Sequence, residues 1–207
     1  MSDQIRQEME YMVAELQYYT KQKLFAPKEV TSIVKKRRDF EDIIQHTEAS
    51  LFSFLKYIEY EILLERVFDK RAKKAGKRKP RDYIRRRINR LFKRTEKKFP
   101  MEETLHLTHL GYFLAIADKE MACKLALNLP RKIAGSSKIW IRCAEALREC
   151  EEIEASRTLL QRALRLVTPQ KEVIQAFISI EESFPDEDSE QLISLLKNQL
   201  SQAATAP

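Results

Sequence analysis

The stretch from Lys138 to Val167, KIWIRCAEALRECEEIEASRTLLQRALRLV, predicts two amphipathic helices joined by a short acidic turn. In each half, apolar residues recur at the i, i+3, i+4, i+7 spacing that places them on one helical face. These are Ile139, Trp140, Cys143, Ala144 and Leu147 in the first half, and Ala155, Leu159, Leu160, Ala163, Leu164 and Val167 in the second. Two such helices cannot bury both apolar faces against each other alone, so similar pairs are expected beside them.

The pattern recurs at an interval of 34 residues. Positions 34 and 68 residues before the second helix carry, in order, Leu125, Ala126, Asn128 and Leu129, and then Leu91, Phe92, Arg94 and Thr95. The first helix repeats as well, because Trp140 has His106 before it and Ile174 after it at the same interval. A helix-turn-helix period of this length is typical of tetratricopeptide repeats and predicts an all-α, right-handed α-solenoid.

Residue types within the units resemble the half-a-TPR (HAT) repeat, whose first helix has the pattern Trp-x-x-Tyr-x-x-x-Glu. The residues taken as repeat-defining core positions are Phe54, Tyr57, Glu61, Trp140, Leu159, Arg162, Ala163, Phe177 and Glu181. One unit departs from the pattern, with His106, His109 and Phe113 at its three marker positions. HAT arrays occur mostly in RNA-processing assemblies, and the resemblance implies that setting here.

Composition favours an all-α, intracellular chain. Only three glycines and seven prolines occur in 207 residues, which leaves little room for strands and tight hairpins. No apolar run reaches eighteen residues, and the charged start MSDQIRQEME is unlike a signal peptide. The odd number of cysteines, Cys123, Cys143 and Cys150, indicates buried thiols in a reducing compartment rather than disulfides.

The N-terminal residues resemble one family in particular. The resemblance begins with a helix through Met12 and Leu16 and continues past Pro27, where a second helix is expected to start. The motifs are Glu15-Leu16, Leu24-Phe25, Glu29-Val30, Ile33 to Arg37, Phe40-Glu41, Phe54-Leu55, Tyr57, Tyr60-Glu61 and Arg162 to Arg165. Together they resemble the U-three small nucleolar RNA-associated protein six family over about residues 1–182.

The resemblance implies a non-catalytic, cofactor-free HAT-repeat scaffold in the UTP-B module of the small-subunit processome. The implied partners are other UTP-B subunits, including β-propeller proteins, and, through the assembly, precursor ribosomal RNA and the U-three small nucleolar RNA particle. The implied location is the nucleolus of the nucleus, with no membrane and no small-molecule substrate. Family members continue with further HAT units, so this chain is expected to be a reduced member or a fragment.

Three other functions are compatible with parts of the pattern. A HAT scaffold in messenger-RNA splicing or 3′-end processing fits the repeat class, although the first forty residues favour the family above. A direct RNA-binding protein would use the helices only to display basic residues. A peptide-binding co-chaperone needs Lys, Arg and Asn converging on a groove, a pattern that these repeats do not keep.

The predicted organisation has three parts: an N-terminal helical cap over residues 1–48, HAT-like repeats over 49–202, and a disordered tail over 203–207. Tyr18, Tyr19, Leu24 and Phe25 form an aromatic and aliphatic cluster in the cap. They either cover the first repeat or dock a partner subunit. Covering the repeat is slightly favoured, because an uncapped first repeat exposes its apolar face.

Charge is concentrated in one segment. Lys70 to Lys98 holds 16 Lys or Arg against two acids, a net charge of +14, whereas the whole chain has +7 and the remainder therefore −7. The first repeat is also stretched: Phe54 and His106 are 52 residues apart, which places an 18-residue basic insertion at about residues 69–82. Gly76 and Pro80 indicate a loop there.

Flexible Lys and Arg side chains neutralise phosphates, so this segment is a candidate contact for RNA or for an acidic partner. The residues proposed for that contact are Lys70, Arg71, Lys73, Lys74, Lys77, Arg78, Lys79, Arg81, Arg85, Arg86 and Arg90. Few aromatic residues lie among them, which argues against base stacking. A solvated loop that serves as a nuclear-import signal is the alternative.

No motif indicates chemistry. His106 and His109 lie three residues apart, but no acid or cysteine stands near them at metal-ligand spacing, so aromatic-like packing is expected. The glycines Gly76, Gly111 and Gly135 are too far apart to cradle a phosphate. The sequence therefore predicts no catalytic, metal or cofactor site.

Overall fold

The computed structural model describes residues 6–7, 10–76, 82–168, 170–183, 185 and 188–205. These residues form ten helices and, within those ranges, no strand, so the all-α prediction is confirmed. The helices are α1 Val13–Lys21, α2 Pro27–Gln45, α3 Leu51–Lys74, α4 Asp82–Lys98, α5 Glu103–Ala115, α6 Lys119–Lys132, α7 Ser137–Glu149, α8 Ile153–Leu166, α9 Gln170–Ser183 and α10 Ser189–Thr205. None of the described helices is both long and apolar enough to cross a membrane.

The chain divides into two compact units, Met1–Phe99 with α1 to α4 and Pro100–Pro207 with α5 to α10. In the first unit α2 packs on α1 and α3, and α3 packs on α4. In the second unit α5 packs on α6, α7 on α8 and α9 on α10. There α7 also contacts both α5 and α9, so the first helix of each pair lies against the first helix of the next.

Local sequence sets the helix boundaries. Pro27 begins α2, as expected, because its ring fixes a helical φ and its missing N–H is not needed at a first position. Ser50, Asp118 and Ser136 cap α3, α6 and α7 by accepting a hydrogen bond from the backbone N–H three residues later. The two helices predicted from Lys138 to Val167 are α7 and α8, and the turn between them includes Glu151 at φ 70°.

The extra length of the first repeat lies largely in a helix. Residues Lys70 to Lys74 were expected in a loop, but they form the last turns of α3, which has 24 residues against 13 in α7. Lys and Arg are good helix formers and are favourable near a helix C-terminus, and Ala72 is fully buried there. Gly76 follows at φ 62°. Residues 77–81 lie outside the described part of the chain.

The last described helix, α10, continues to Thr205, and residues 206–207 of the predicted tail lie outside the described part of the chain. One further expectation is wrong. Arg162 was taken as a core position, but its side chain is exposed, since it lies outside the apolar stripe of α8. The remaining repeat-defining residues are buried: Phe54, Tyr57, Glu61, Trp140, Leu159, Ala163, Phe177 and Glu181.

Candidate functional site

The basic segment supplies the end of α3 and all of α4, and α4 has two contrasting faces. Ile84, Ile88, Leu91 and Phe92 are buried at 0–3% exposure and hold the helix on the first unit. Some cationic side chains of the segment pack against the rest of the unit, and others lie in solvent. Among the described cations, Arg71, Arg85, Arg87 and Arg94 reach inward to carboxylates, and the lysines have exposed side chains.

Three arginines of α4 each pair with a carboxylate on a different helix. Arg87 Nε lies 3.4 Å from Glu15 Oε2 of the first helix. Arg94 Nη2 lies 3.0 Å from Glu41 Oε2 of α2. Arg85 Nε lies 3.0 Å from Glu65 Oε1 of α3. Because the three acids belong to α1, α2 and α3, the pairs connect α4 to every other helix of its unit.

Arg37 of α2 lies at the centre of this ion-pair network and is completely buried. Its Nε and Nη2 donate to the two oxygens of Glu61 at 2.7 and 2.8 Å. Its Nη1 and Nη2 donate to Glu15 at 3.1 and 2.7 Å. Burial opposes the charged form of Glu15, but the cations of Arg37 and Arg87 outweigh it and lower the pKa of that carboxyl. Tyr19 also donates to Glu15, at 2.5 Å.

A fourth arginine of the basic segment, Arg71 at the end of α3, is half-buried and pairs with Glu29. Its Nη1 and Nη2 donate to the two Glu29 oxygens at 2.9 and 2.7 Å, and its guanidinium lies 4.7 Å from the ring centre of Phe25. The Arg71 hydrogen bonds, with the backbone N–H of Ala26, lower the pKa of Glu29 to about 2. Arg71 therefore binds an internal acid, although the sequence placed it among the contacts for a partner.

The lysines of the same segment behave differently. Lys70, Lys73 and Lys74 at the end of α3, and Lys93 and Lys97 on α4, all have exposed side chains. No carboxylate within the described residues pairs with any of these five lysines. We call these five residues the lysine group. Arg86 is exposed on α4, and the half-buried Arg90 places its guanidinium 4.3 Å from the ring centre of Tyr11.

The eleven residues proposed for RNA or acidic-partner contact therefore fall into three sets. Lys70, Lys73, Lys74, Arg86 and Arg90 are exposed or half-exposed on helices. Arg71 and Arg85 are bound to acids of the chain itself. Lys77, Arg78, Lys79 and Arg81 lie outside the described residues. Lys93 and Lys97, which belong with the exposed set, were missing from the proposed residues.

The aromatic cluster of the predicted cap is part of the core of its own unit. Tyr19, Leu24 and Phe25 are 2–6% exposed, and the Tyr19 ring lies 5.0 Å from Phe25 and 5.2 Å from Phe68 of α3. Tyr18 is half-buried. A partner cannot reach the three buried side chains while the unit is folded. Their position corresponds to the alternative in which the cluster covers the first repeat.

The second unit contains a buried ion-pair cluster of its own, around Glu181. Arg157 Nε and Nη2 donate to its two oxygens at 3.2 and 2.8 Å, and Arg148 Nη2 lies 2.6 Å away. Ser189 donates to Oε2 at 3.0 Å. Burial again opposes the charged carboxylate, but these partners lower the pKa of Glu181. Glu61 and Glu181 were identified from the repeat pattern, whereas their arginine partners were missed.

A spacing signal links the two clusters. Arg37 precedes Glu61 by 24 residues, and Arg157 precedes Glu181 by 24 residues, with the same two guanidinium nitrogens on the same two oxygens. At intervals of 34 residues before Arg157 and Glu181 lie Cys123 with Leu147, and then Asn89 with Phe113, none of which is charged. With the 18-residue insertion added to the interval, Arg37 and Glu61 stand at the next such positions, so this spacing could have identified the arginines.

The other residues considered for chemistry are packed in the second unit. His106 Nε2 is 2.9 Å from the Pro100 carbonyl oxygen, and the His109 ring lies 5.2 Å from Phe113. The described residues contain no group of three or more His, Cys, Asp or Glu placed to hold a metal. Burial raises the pKa of the Cys143 thiol to about 12, so this thiol remains protonated at neutral pH.

The described helices define an all-α protein, in which most residues that the 34-residue interval marked as core positions are buried. Residues 9–96 match the model of the family described as U3 small nucleolar RNA-associated protein 6, and by that match this part of the chain belongs to the family. The resemblance predicted from the sequence is confirmed. The matched region contains Arg37, the acids that bind it and nearly all of α4.

Curated relatives carry the same name. A protein of Schizosaccharomyces pombe, U3 small nucleolar RNA-associated protein 6, is 30% identical over 89% of this chain and 39% of its own length. Homologues from Dictyostelium discoideum and Homo sapiens are 33% and 26% identical, over 76% and 80% of this chain. The chain spans about two fifths of the S. pombe relative, and 26% and 28% of the other two.

Proposed function

We propose that this chain is a non-catalytic scaffold subunit of the small-subunit processome, within its UTP-B module. In this role it supports early processing of precursor ribosomal RNA and assembly of the small ribosomal subunit in the nucleolus. The observation that carries the proposal is the family match over residues 9–96, since the relatives are named for association with the U3 small nucleolar RNA.

The helix arrangement supports a scaffold rather than a catalyst. In residues 100–207 each first helix contacts its successor, which is the packing from which we propose HAT-like pairs in a right-handed solenoid. Stacked pairs offer long surfaces to partner proteins. The partners that we propose are the other UTP-B subunits, including β-propeller proteins, with precursor RNA and the U3 particle held by the assembly.

The proposal is tested by affinity purification of the tagged chain from its own cells at moderate and at high salt. One half of each sample is treated with ribonuclease before elution, and the tag alone serves as control. A scaffold held by protein contacts recovers the β-propeller subunits at both salts and after ribonuclease. Precursor and U3 RNA are recovered at moderate salt without ribonuclease.

Two outcomes would contradict the proposal. Recovery of splicing or 3′-end processing factors would assign the chain to a different HAT assembly. Loss of every protein partner after ribonuclease would mean that the chain joins the particle through RNA rather than as a protein scaffold. Imaging of the tagged chain provides an independent check, because a processome subunit concentrates in the nucleolus.

A further inference from the structure

We propose that the lysine group, with Arg86 beside it on α4, contacts the phosphate backbone of structured RNA directly. This inference rests on the proposed function for the identity of the polyanion, and it adds a surface and a mode of contact. The contact comprises two sets of exposed lysines, Lys70, Lys73 and Lys74 at the end of α3 and Lys93 and Lys97 in the second half of α4.

The first argument is the separation of arginine from lysine. Each ion pair described among residues 6–99 uses an arginine, including those of Arg37, Arg71, Arg85, Arg87 and Arg94. The guanidinium fork suits a carboxylate, and it is used inside the unit. The lysines are left with their charges in solvent. Part of the net charge of +14 in the segment is therefore used in ion pairs within the unit. The positive charge that a partner can reach belongs mainly to lysines.

The second argument is the geometry of α4. Arg86, Arg90, Lys93 and Lys97 follow one another at intervals of four, three and four residues, which keeps them on one helical face. At about 1.5 Å of rise per residue, they extend over roughly 16 Å along a helix whose other face is buried. A rigid line of cations suits a regularly charged backbone better than it suits a single acidic side chain.

The third argument distinguishes RNA from an acidic protein. The cores of protein interfaces are depleted in lysine and enriched in aromatic residues and Met. Surfaces that bind nucleic acid are strongly positive and polar. The five lysines are exposed, and Tyr83 is the one exposed large aromatic residue described on α4, so cations predominate and suit phosphates better than the core of a protein interface. With so few aromatic residues, contact through phosphates rather than through base stacking is expected.

The test uses the purified full chain and a fluorescent 20-base-pair RNA duplex of arbitrary sequence, titrated at several salt concentrations. The variant K70Q/K73Q/K74Q/K93Q/K97Q is compared with K21Q/K28Q/K35Q/K138Q/K171Q, which removes the same charge from lysines that are also exposed. Both variants are first checked for unchanged helicity and melting temperature. Two part-variants, K70Q/K73Q/K74Q and K93Q/K97Q, then assign the effect to each helix.

We expect the lysine-group variant to bind the duplex about 100-fold more weakly at 100 mM salt, because several phosphate contacts are lost. Its plot of log affinity against log salt becomes shallower by about 2–4, since each lost contact removes about 0.7–0.9. Both part-variants weaken binding, and the matched control changes it less than about threefold.

Equal losses in the lysine-group variant and the control would overturn the assignment, because binding would then follow net charge alone. Binding that does not depend on salt, or that polyglutamate of equal charge displaces as well as RNA does, would overturn it too. The result is separable from the proposed function, because the purified chain is used alone. If the chain recovers β-propeller subunits in the purification but does not bind the duplex, the scaffold proposal stands and the proposed RNA contact is wrong.

Discussion

The two units of this chain hold their helices together in different ways. In residues 6–99, acids on α1, α2 and α3 bind arginines of α2 and α4, and Arg37 lies at the centre of the unit. In residues 100–205, α7 meets its neighbours mainly through apolar residues such as Leu147, and Glu181 near the end has the only buried carboxylate described in that unit. Glu61 and Leu147 stand at equivalent positions of the predicted repeat, one a carboxylate and the other apolar.

The difference concerns specificity as well as stability. An apolar position fits many neighbours of the right volume, whereas a buried carboxylate is tolerated only beside a cation that reaches it. Acids at this position restrict which helix can pack against it. The first unit, which contains the whole family match, has several such buried acids, each beside an arginine.

The largest effect is expected when a carboxylate replaces the buried apolar residue Leu147 of the second unit. L147E places a carboxylate at a completely buried position without a partner and should lower the free energy of unfolding by at least ~4 kcal/mol. Adding C123R supplies an arginine 24 residues earlier and should recover about 1–3 kcal/mol. Urea unfolding followed by Trp140, the single tryptophan, reports on this unit. No recovery in the double variant would refute the proposed register.

The reverse experiment removes the central cation of the first unit. R37M leaves Glu15 and Glu61 buried without their shared partner and should cost ~3–5 kcal/mol. The adjacent R38A alters an exposed side chain and should cost less than about 0.5 kcal/mol. Six of the seven tyrosines lie in residues 1–99, so near-ultraviolet circular dichroism follows this unit during urea unfolding. Equal losses in the two variants would show that the network does not stabilise the unit.

Acid should weaken the second unit through Glu181. Its pKa is lowered in the folded chain, so its contribution is complete above the unfolded value of about 4.3 and is lost as pH falls below it. E181Q should cost about 2 kcal/mol at pH 7 and flatten the decline below pH 5. The neighbouring E182Q removes an exposed acid and should leave the decline unchanged. Urea unfolding followed by Trp140 emission at pH 7 and pH 4 gives the free energy of unfolding of each variant and so distinguishes E181Q from E182Q.

The smallest effect is expected at the half-exposed pair of Arg71 and Glu29. R71A removes this pair and the contact with Phe25, and should cost about 0.5–1 kcal/mol. The loss should shrink in 1 M salt, because exposed ion pairs are screened. K70A, at the adjacent exposed position, is the control. A salt-independent cost above 3 kcal/mol would mean that Arg71 acts as a buried residue.

The helices could be predicted from the sequence, because apolar periodicity depends on local order alone. Most marker residues are buried, Glu61 and Glu181 among them. The arginine partners were missed, because composition does not distinguish a cation that binds an internal acid from one in solvent. Arg71 and Arg85 were therefore grouped with Lys70 and Lys73, although only the lysines face solvent without an acid.

The loop expected between Lys70 and Arg81 has the same origin. A dense run of cations is often a solvated loop, but these residues are also good helix formers, and local propensity prevailed up to Lys74. The exposure of Arg162 shows a second limit of predicting buried residues from a repeat pattern. A residue that recurs in a repeat pattern need not lie in the core.

The Arg87–Glu15 pair gives the first unit an order of assembly during synthesis. Glu15 and Arg37 are 22 residues apart and Arg37 and Glu61 are 24 apart, so these contacts can close as soon as short lengths of chain have emerged. Arg87 lies 72 residues after Glu15, and its contact waits for α4. At about 5–20 residues per second, α1 to α3 spend several seconds outside the ribosome before the helix that connects them has been made.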